Sequence, residues 1–548
     1  MQARNAWPSL HTPDCRRWEA EMASPILYEV PASSSIPSAL NAAAIAFPDH
    51  EAIVEGELRV TFSQLRHQAV EVARALVATG IEPGDRIAIW APNSAQWIAA
   101  SFGVYAAGGV LVPFNTRYRG DEAGHILRTS GARLLLTVTD FLDADYVGLL
   151  EGVPGLDALQ EIVVMSGPDA AHTTPWSDFL ARGAGTDEAV VDARTAAIVP
   201  DDPSDIIFTS GTTGAPKGAV LGHGASVRTY LAWSELVDLR AGDRYLSVYP
   251  YFHTAGLKSG VLACVLRGAT IYPQGTFDVP TMLHLVEDEQ ITMLPGPPTV
   301  FQTILNHPDL ASFDLSSLRS SVTGAAVVPV EVIRQMREVL RIPTVVTGYG
   351  MTETTGTISM CRHDDSPEVI AHTVGRPLPG VDVRVVDDDG NDLGPGEPGE
   401  LVVRGFNVMQ CYFDNEEATA EAITDGWLST GDIGLVDRDG NIHITDRKKD
   451  MFIVGGFNAY PAEIEAALLQ HPAIAQVAVI GVPDERMGEI GVAFVVAKTD
   501  SSADANEILQ WAWSKIAKYK LSRVELIDAL PLNPSGKVMK FKLRENHA

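Results

Sequence analysis

The stretch Ile206-Ile-Phe-Thr-Ser-Gly211-Thr-Thr-Gly214-Ala-Pro-Lys217-Gly218 joins a short apolar run to a loop of glycines and hydroxyl-bearing residues. Small and hydroxylated residues directly after a buried strand can turn N–H and O–H groups toward phosphate oxygens, and a lysine adds positive charge. The stretch therefore predicts a phosphate-binding loop, with a plain flexible loop as the alternative interpretation. It is not a Walker A loop, because no G-x-x-x-x-G-K-[ST] pattern fits within it.

The chain before this loop has an α/β pattern. Strand-like apolar runs at Arg86–Trp90, Val110–Pro113 and Leu134–Val138 alternate with a helical window at Ser94–Ala107. Such alternation predicts a mostly parallel sheet covered by helices. The segment Ser166–Asp205 is rich in Gly, Pro, Ala, Thr and Asp, and it predicts a surface connection into the strand before the loop.

The chain after about residue 374 has a different pattern. Alternating apolar residues broken by Asp-Gly turns, as in Gly434–Thr445, predict a small antiparallel, barrel-like subdomain. The residues after 446 have the length of one small domain, with α+β patterning and strands near Gln476–Ile480 and Val492–Ala497. The sequence thus predicts two domains, residues 1–446 and 447–548.

Composition excludes several protein classes. The 548 residues include 41 Lys and Arg and 70 Asp and Glu, a net charge of −29, which disfavours nucleic acid and anionic membranes as partners. The four cysteines form no C-x-x-C pair and are typical of thiols in a reducing cytosol. The first thirty residues contain no signal-peptide core, and glycines interrupt the uncharged stretch Trp97–Phe114. A cytoplasmic protein without a membrane anchor is expected.

Four further strings follow the loop, namely Tyr349-Gly-Met-Thr-Glu353, Ser429-Thr-Gly-Asp432, Asp446-Arg-Lys-Lys-Asp450 and Pro534-Ser-Gly-Lys537. Together with the loop, and in this order, they resemble the adenylate-forming (AMP-binding) superfamily of acyl- and aryl-CoA synthetases, firefly-type luciferases and nonribosomal adenylation domains. The resemblance implies an α/β large N-terminal domain, with a barrel-like β subdomain, and a small mobile α+β C-terminal domain.

The resemblance also implies an ATP site. Joining a carboxylate to the α-phosphate brings two anions together, so positive charge is needed. Lys537 resembles the catalytic lysine that bridges the two reactants, and Glu353 resembles the catalytic glutamate that holds Mg²⁺. Asp432 and Arg447 resemble the two ribose contacts, although Asp432 alone would more often be a turn or cap residue. The other implied ATP- and AMP-binding residues are Thr209, Ser210, Gly211, Thr212, Thr213, Gly214, Lys217, Gly324, Ala325, Ala326, Tyr349, Gly350, Met351 and Thr352.

An acyl pocket is implied by Tyr249-Pro-Tyr-Phe-His-Thr-Ala-Gly256-Leu. His253 resembles the residue that gates this pocket and contacts the substrate carboxylate or phosphate, whereas a lone histidine in an apolar run is usually a core residue. Leu257 and Lys258 follow on the predicted pocket helix. Lys258 either extends to the surface or meets a polar group of the substrate, and the sequence leaves both open.

Two further features are implied for the second half of the reaction. Lys449 matches the hinge about which the small domain would pivot. Gly455 and Gly456 match a pair near the pantetheine arm of CoA, where only glycine lets the backbone approach closely. A simple strand turn is the alternative interpretation of the two glycines.

The implied function is an acid–CoA ligase that uses ATP, Mg²⁺ and CoA, forms acyl-AMP and releases AMP and pyrophosphate. The motif combination resembles actinobacterial ligases for fatty, alicyclic and steroid-ring-derived acids. An acyl-AMP ligase serving a carrier protein and a luciferase remain alternatives within the superfamily; a phosphoryl-transfer enzyme and a binding-only protein are alternatives outside it. An amino-acid adenylation domain is disfavoured, because Phe252-His253-Thr254 lacks the acidic residue for an α-amine. A homodimer is left open.

Overall fold

The computed structural model describes residues 35–545 apart from 143, 210–215, 325–327, 448–449, 451, 455–456, 460, 485–486, 499–503, 514, 517 and 533–537. Several predicted site residues therefore lie outside the described residues: Ser210, Gly211, Thr212, Thr213, Gly214, Ala325, Ala326, Lys449, Gly455, Gly456 and Lys537. Of Arg447, only the strand backbone is described.

The chain folds into two compact units. The first runs to Asp382 and includes Arg404–Gly426, and the second comprises Val383–Val403 and the chain from Trp427 onward. Up to residue 382 the elements begin with α1 (Ile36–Ala46), β1 (Glu51–Glu55), β2 (Leu58–Thr61), α2 (Phe62–Ala78), β3 (Arg86–Trp90), α3 (Ala95–Ala106), β4 (Val110–Pro113), α4 (Gly120–Ser130), β5 (Leu134–Val138), β6 (Glu161–Ser166), β7 (Thr174–Pro175), α5 (Trp176–Arg182), α6 (Glu188–Ala197), β8 (Pro203–Thr209) and β9 (Lys217–Gly222). They continue with α7 (His223–Leu236), β10 (Arg244–Ser247), a π-helix (Ala255–Leu262), α8 (Ala263–Arg267), β11 (Thr270–Pro273), α9 (Val279–Asp288), α10 (Pro298–Leu305), β12 (Ser320–Gly324), α11 (Val330–Glu338), β13 (Thr344–Tyr349), β14 (Ser359–Met360), α12 (Pro367–His372) and β15 (Arg376–Pro377).

The remaining elements are β16 (Val381–Val386), β17 (Gly399–Gly405), β18 (Cys411–Tyr412), α13 (Glu416–Ala422), β19 (Ile423–Thr424), β20 (Trp427–Val436), β21 (Ile442–Arg447), β22 (Phe452–Val454), β23 (Phe457–Ala459), α14 (Pro461–Leu468), β24 (Ile474–Asp484), β25 (Gly488–Ala497), α15 (Ala505–Trp513), β26 (Arg523–Leu526) and α16 (Lys540–Glu545).

The largest sheet of the first unit has the order β18-β9-β8-β4-β3-β5-β6-β7. The strands from β8 to β7 pair in parallel, and β9 and β18 add antiparallel strands at one edge. Two four-stranded ladders, β10-β11-β1-β2 and β12-β13-β14-β15, complete the unit. The predicted mostly parallel, helix-covered architecture is confirmed.

The uncharged stretch that includes α3 and β4 is a buried helix followed by a buried strand, as predicted. Ser94 caps α3 by accepting from the Trp97 N–H at 3.1 Å. A Cβ on Gly103 would lie 2.4 Å from the Val72 side chain, so glycine allows α2 and α3 to pack closely. Among the described residues, no helix is long and apolar enough to cross a membrane.

The segment 166–205 differs from the predicted plain connection, because it contains α5 and α6. Asp187 begins α6 by accepting from the Ala189 N–H at 3.0 Å, and the helix then runs through alanine-rich sequence. Phe179 and Val191 are the apolar side chains that these helices bury. Composition did not indicate α5 and α6, because the same small and acidic residues also occur in turns and helix caps.

The second unit contains two sheets. In the first sheet, strands β16, β17 and β20 follow one another and β21 pairs antiparallel with β20, which confirms the antiparallel part of the prediction. The second has the order β23-β22-β25-β24, with β26 parallel to β25. Its core is formed by apolar residues from strands and helices, including Phe452, Ile464, Val479, Val495 and Ile508. The predicted C-terminal α+β pattern is confirmed.

Candidate active site

The two described ends of the predicted phosphate loop lie side by side. Strand β8 ends at Thr209 and β9 begins at Lys217, and the two residues are register partners in the antiparallel pair. The Thr209 hydroxyl donates to the Lys217 carbonyl at 3.4 Å. The structure thus brings together the threonine and the lysine that flank the loop.

Glu353 lies in a short 3-10 turn, Thr352–Thr354, that follows β13. Its side chain is buried, and its carboxylate accepts a 2.8 Å hydrogen bond from the Tyr412 hydroxyl. Tyr412 is on the edge strand β18, opposite Ala219 of β9. The Lys217 ammonium is 5.2 Å from the centroid of the Tyr412 ring. Tyr412 therefore contacts both predicted residues, Glu353 and Lys217.

Tyr412 belongs to none of the five strings and could not be predicted as a site residue from the sequence. Burial and the neighbouring Glu353 carboxylate raise the pKa of Tyr412 well above its usual value, so its phenol stays protonated and remains a donor. No local pattern signals this contact, because it joins residues 59 positions apart.

The predicted adenine-side residues come together at the carboxyl ends of two parallel strands. Gly324 of β12 is the register partner of Gly348 in β13, and Tyr349 follows directly. The turn beyond Tyr349 is closed by a 2.7 Å bond from the Ile358 N–H to the Tyr349 carbonyl. A Cβ on Gly350 would lie 2.3 Å from the Gly356 carbonyl oxygen, so only glycine fits there. Met351 and Thr352 lie within the same turn.

His253 is an exposed residue in the otherwise buried or half-buried loop between β10 and the π-helix. Its Nδ1 accepts from the Ala255 N–H at 3.2 Å. A Cβ on Gly256 would lie 2.1 Å from the Pro250 carbonyl oxygen, so glycine is needed for this loop to close. A Cβ on Gly356 would lie 3.0 Å from the Thr254 side chain. The residue after His253 thus packs against the turn that contains Glu353.

Leu257 and Lys258 are both buried in the π-helix. The surface interpretation of Lys258 is wrong, because its side chain is 1% exposed and its ammonium pairs with the carboxylate of Asp205. Burial lowers the pKa of Lys258, and the Asp205 carboxylate opposes this change. Asp205 could not be predicted as the partner of Lys258, because an aspartate near the start of a strand gives no local signal of burial.

The predicted ribose contacts are both in the second unit. Asp432 on β20 is buried, and its N–H donates to the Thr430 hydroxyl at 3.1 Å. Asp432 is the register partner of Arg447 on β21. The structure therefore pairs the two residues that the sequence assigned to the ribose, although 15 positions of chain separate them.

Residues 40–413 match the model of the AMP-binding enzyme family, and residues 463–537 match the model of the AMP-binding enzyme C-terminal domain. The chain is 45% identical to a (7a-methyl-1,5-dioxo-octahydro-1H-inden-4-yl)propanoyl:CoA ligase of Rhodococcus jostii, over 93% of this chain and 98% of that protein. An enzyme of the same name from Mycobacterium tuberculosis is also 45% identical, with the same coverage.

A crystal structure of ATP-bound MatB from Rhodopseudomonas palustris superposes with a TM-score of 0.82 at 28% identity, covering 93% of this chain and 98% of that one. The similarity thus extends over both units rather than over the phosphate-loop region alone. With both family models matched and 45% identity over nearly the whole chain, the protein belongs to the AMP-binding enzyme family, as an acid–thiol ligase of the acyl-CoA synthetase type.

Proposed function

We propose that this enzyme activates a propanoate side chain on a bicyclic keto ring system, the type of acid that a steroid nucleus yields when partly degraded. The acid carboxylate attacks the α-phosphate of ATP, which gives acyl-AMP and releases pyrophosphate. The CoA thiol then attacks the acyl carbon, and AMP leaves as the thioester forms. The observation that supports this acid is the 45% identity, over 93% of the chain, to two ligases named for it.

Two described side chains of the first unit, Lys217 and Glu353, support a triphosphate site beside the predicted phosphate loop. Lys217 supplies positive charge beside the predicted phosphate loop, and the Tyr412 phenol keeps the Glu353 carboxylate in one orientation at 2.8 Å. Preorganised charge of this kind stabilises the transition state more effectively than groups that must reorient.

Glu353 suits a magnesium ion. Mg²⁺ is commonly bound in proteins through one or two carboxylates together with substrate phosphates, and Glu353 is a buried carboxylate whose direction Tyr412 fixes. When bound, the ion neutralises negative charge on the phosphate oxygens. We assign Glu353 to this role, and the residues of its turn to the adenine side of the nucleotide.

The acid would bind along the π-helix. Leu257, Val261 and Leu262 give this helix buried apolar surface, which suits the hydrocarbon body of a ring system. His253 lies at the exposed entrance of the same segment, where it would contact the carboxylate or the phosphate. The ring system of the acid would thus bind along the π-helix, and its carboxylate would lie near His253.

The second unit would serve both half-reactions. We assign Asp432 and Arg447 to the ribose hydroxyls, since they are register partners on neighbouring strands. Residues 447–548 would form the mobile lid, with the hinge at Lys449 and with Gly455 and Gly456 beside the CoA arm. The lid, hinge and CoA-arm assignments follow from the motifs. Transfer of the acyl group to a carrier protein is the competing proposal, and the intact hinge string and glycine pair favour CoA.

A product assay tests the function. Purified enzyme is incubated with ATP and Mg²⁺ and with short, medium, long, aromatic and alicyclic acids, with and without CoA, while pyrophosphate, AMP, ADP and thioester are measured. We expect pyrophosphate and AMP, highest turnover with the bicyclic keto propanoate, and thioester only with CoA. ADP as the product, or acyl-AMP that CoA does not consume, would contradict the proposal.

Lys537→Ala tests the proposed bridging lysine. Loss of one charge-stabilising donor typically lowers the rate by about 100- to 1,000-fold, so pyrophosphate release should slow by at least about 100-fold. Thioester formation from supplied acyl-AMP should remain near the wild-type rate, because that step does not join two anions.

Lys540→Ala is the matched control for Lys537→Ala. Lys540 lies three positions further along the chain, and its ammonium pairs with Glu465 at 2.8 Å. We expect both half-reactions of this variant to stay within about twofold of wild type, because this half-buried pair involves none of the predicted site residues. Equal losses in both half-reactions for Lys537→Ala would instead indicate a structural lysine.

A further inference from the structure

A buried cluster of charged and hydroxyl groups lies in the core of the first unit, and the reaction described above makes no use of it. Its centre is the ion pair of Lys258 and Asp205, whose side chains are 1% and 0% exposed. The pair of Arg267 and Glu235, elsewhere in the described part of this unit, is less buried at 9% and 11%. A charge pair enclosed to this degree has no solvent to stabilise it and depends on its protein partners.

Both oxygens of the Asp205 carboxylate have partners. Oδ1 accepts from the Tyr105 hydroxyl at 2.5 Å, and Oδ2 accepts from the Ser204 hydroxyl at 2.5 Å and from the Lys258 ammonium. The Lys258 ammonium is also 5.6 Å from the centroid of the Tyr105 ring. Three separate elements, α3, β8 and the π-helix, therefore meet at this one carboxylate.

The cluster carries no net charge. His223 lies edge-on to Tyr105, with ring centroids 5.7 Å apart, and its Nδ1 accepts from the Ile36 N–H at 3.3 Å. Burial lowers the pKa of His223 to about 3, so its imidazole is neutral. The charges of Lys258 and Asp205 thus cancel each other, and their mutual attraction is not shared with a third ion.

The ion pair of Lys258 and Asp205 connects the strand that precedes the predicted phosphate loop to the helix of the predicted acyl pocket. Asp205 is on β8, four residues before Thr209, where the strand ends at the phosphate loop. Lys258 is in the π-helix, five residues after His253. The Lys258 carbonyl accepts from the Ala263 N–H, five residues later, so Lys258 takes part in the π-helical hydrogen bonding. π-Helical segments are rare and frequently occur at functional sites.

We propose that the ion pair of Lys258 and Asp205, supported by Tyr105, is a positioning device that fixes the acyl-pocket helix against the phosphate-loop strand. It holds the acid carboxylate and the α-phosphate at reacting distance. Fold stability alone does not require it, because well-packed apolar residues can replace a buried ion pair without loss of stability. The inference rests on the proposed function, since it assigns the pair to the adenylation step.

The double variant Asp205→Asn/Lys258→Met tests the proposal, because it removes both charges while nearly preserving shape. We expect it to fold with a melting temperature within a few degrees of wild type. Its adenylation kcat, measured as pyrophosphate release with the acid that wild type turns over fastest, should fall by about 10- to 100-fold, the scale of a misplaced reactant. Thioester formation from supplied acyl-AMP should change by less than about threefold, since the two reactants are already joined.

The matched control is Glu235→Gln/Arg267→Met, which removes the charges of the other pair and should leave both half-reactions unchanged. Tyr105→Phe is the second variant: it keeps the ion pair and removes one hydrogen bond to Asp205. It should lower adenylation several-fold and spare thioester formation.

A folded double variant with wild-type rates, or with both half-reactions lowered equally, overturns the proposal. If the double variant does not fold, an unchanged adenylation rate in Tyr105→Phe overturns it. Absence of acyl-AMP from the wild-type enzyme would instead overturn the proposed function, so the two failures are distinguishable.

Discussion

At the scale of single residues, Tyr412 contacts both Lys217 and Glu353. Tyr412→Phe removes the 2.8 Å bond to a buried carboxylate. A hydrogen bond to a charged group is worth about 1.5–3 kcal/mol, so we expect adenylation to slow by at least about tenfold. The Mg²⁺ concentration for half-maximal pyrophosphate release should rise as well, because Glu353 loses the group that orients it. Titration of pyrophosphate release with Mg²⁺ measures both effects.

A matched control for this substitution is Tyr272→Phe. The Tyr272 hydroxyl donates to the Glu289 carboxylate at 3.0 Å, so this substitution also removes a tyrosine hydroxyl that donates to a carboxylate. Tyr272 belongs to none of the predicted site strings. We expect its Mg²⁺ dependence to equal that of wild type. Identical Mg²⁺ titrations for Tyr412→Phe and wild type would show that the phenol does not orient Glu353.

At the scale of elements, strongly patterned segments could be predicted and long-range contacts could not. The predicted bounds of β3, β4 and β5 match the structure, and α3 differs by one residue at each end, because continuous apolar runs bounded by charges and glycines leave few alternatives. The contact of Lys258 with Asp205 joins residues 53 positions apart, and a single lysine in a helix gives the same local signal whether it is buried or exposed. Composition misled the prediction at α5 and α6, where tertiary burial of Phe179 and Val191 favours helices.

His223 connects the first residues of two helices, and its burial predicts that the stability of the fold depends on pH. The imidazole, at the first position of α7, accepts from the N–H of Ile36 at the first position of α1, near the charged pair of Asp205 and Lys258. Its folded pKa is about 3, against an ordinary 6.5. Below pH 6.5 the unfolded chain therefore binds the extra proton. Above pH 6.5, His223 is neutral in both states and does not lower the free energy of unfolding. Between pH 6.5 and 3, protonation of the unfolded chain lowers the free energy of unfolding by about 1.4 kcal/mol per pH unit.

His223→Asn isolates this effect, because the amide oxygen can still accept from Ile36 and does not titrate in this range. We expect the variant to lose less stability than wild type between pH 6.5 and 4.5, measured as the difference of their melting temperatures at each pH. The other histidines contribute equally to both proteins, so their effects cancel in the difference. Parallel pH profiles for the two proteins would show that His223 is protonated equally in the folded and unfolded chains.

At the scale of the whole molecule, one enzyme must perform two chemically different steps, and we expect the chain at Lys449 to allow the change between them. Lys449→Pro fixes the backbone φ angle near −65° and removes the N–H, which should restrict a pivot. We expect thioester formation to slow more than pyrophosphate release, because only the second step would require the lid to move after acyl-AMP has formed. Single-turnover measurements of each half-reaction give the two rates. Lys449→Ala, which removes the side chain without fixing φ, should leave both steps close to wild type, and a larger loss in adenylation than in thioester formation for Lys449→Pro would count against a hinge at this position.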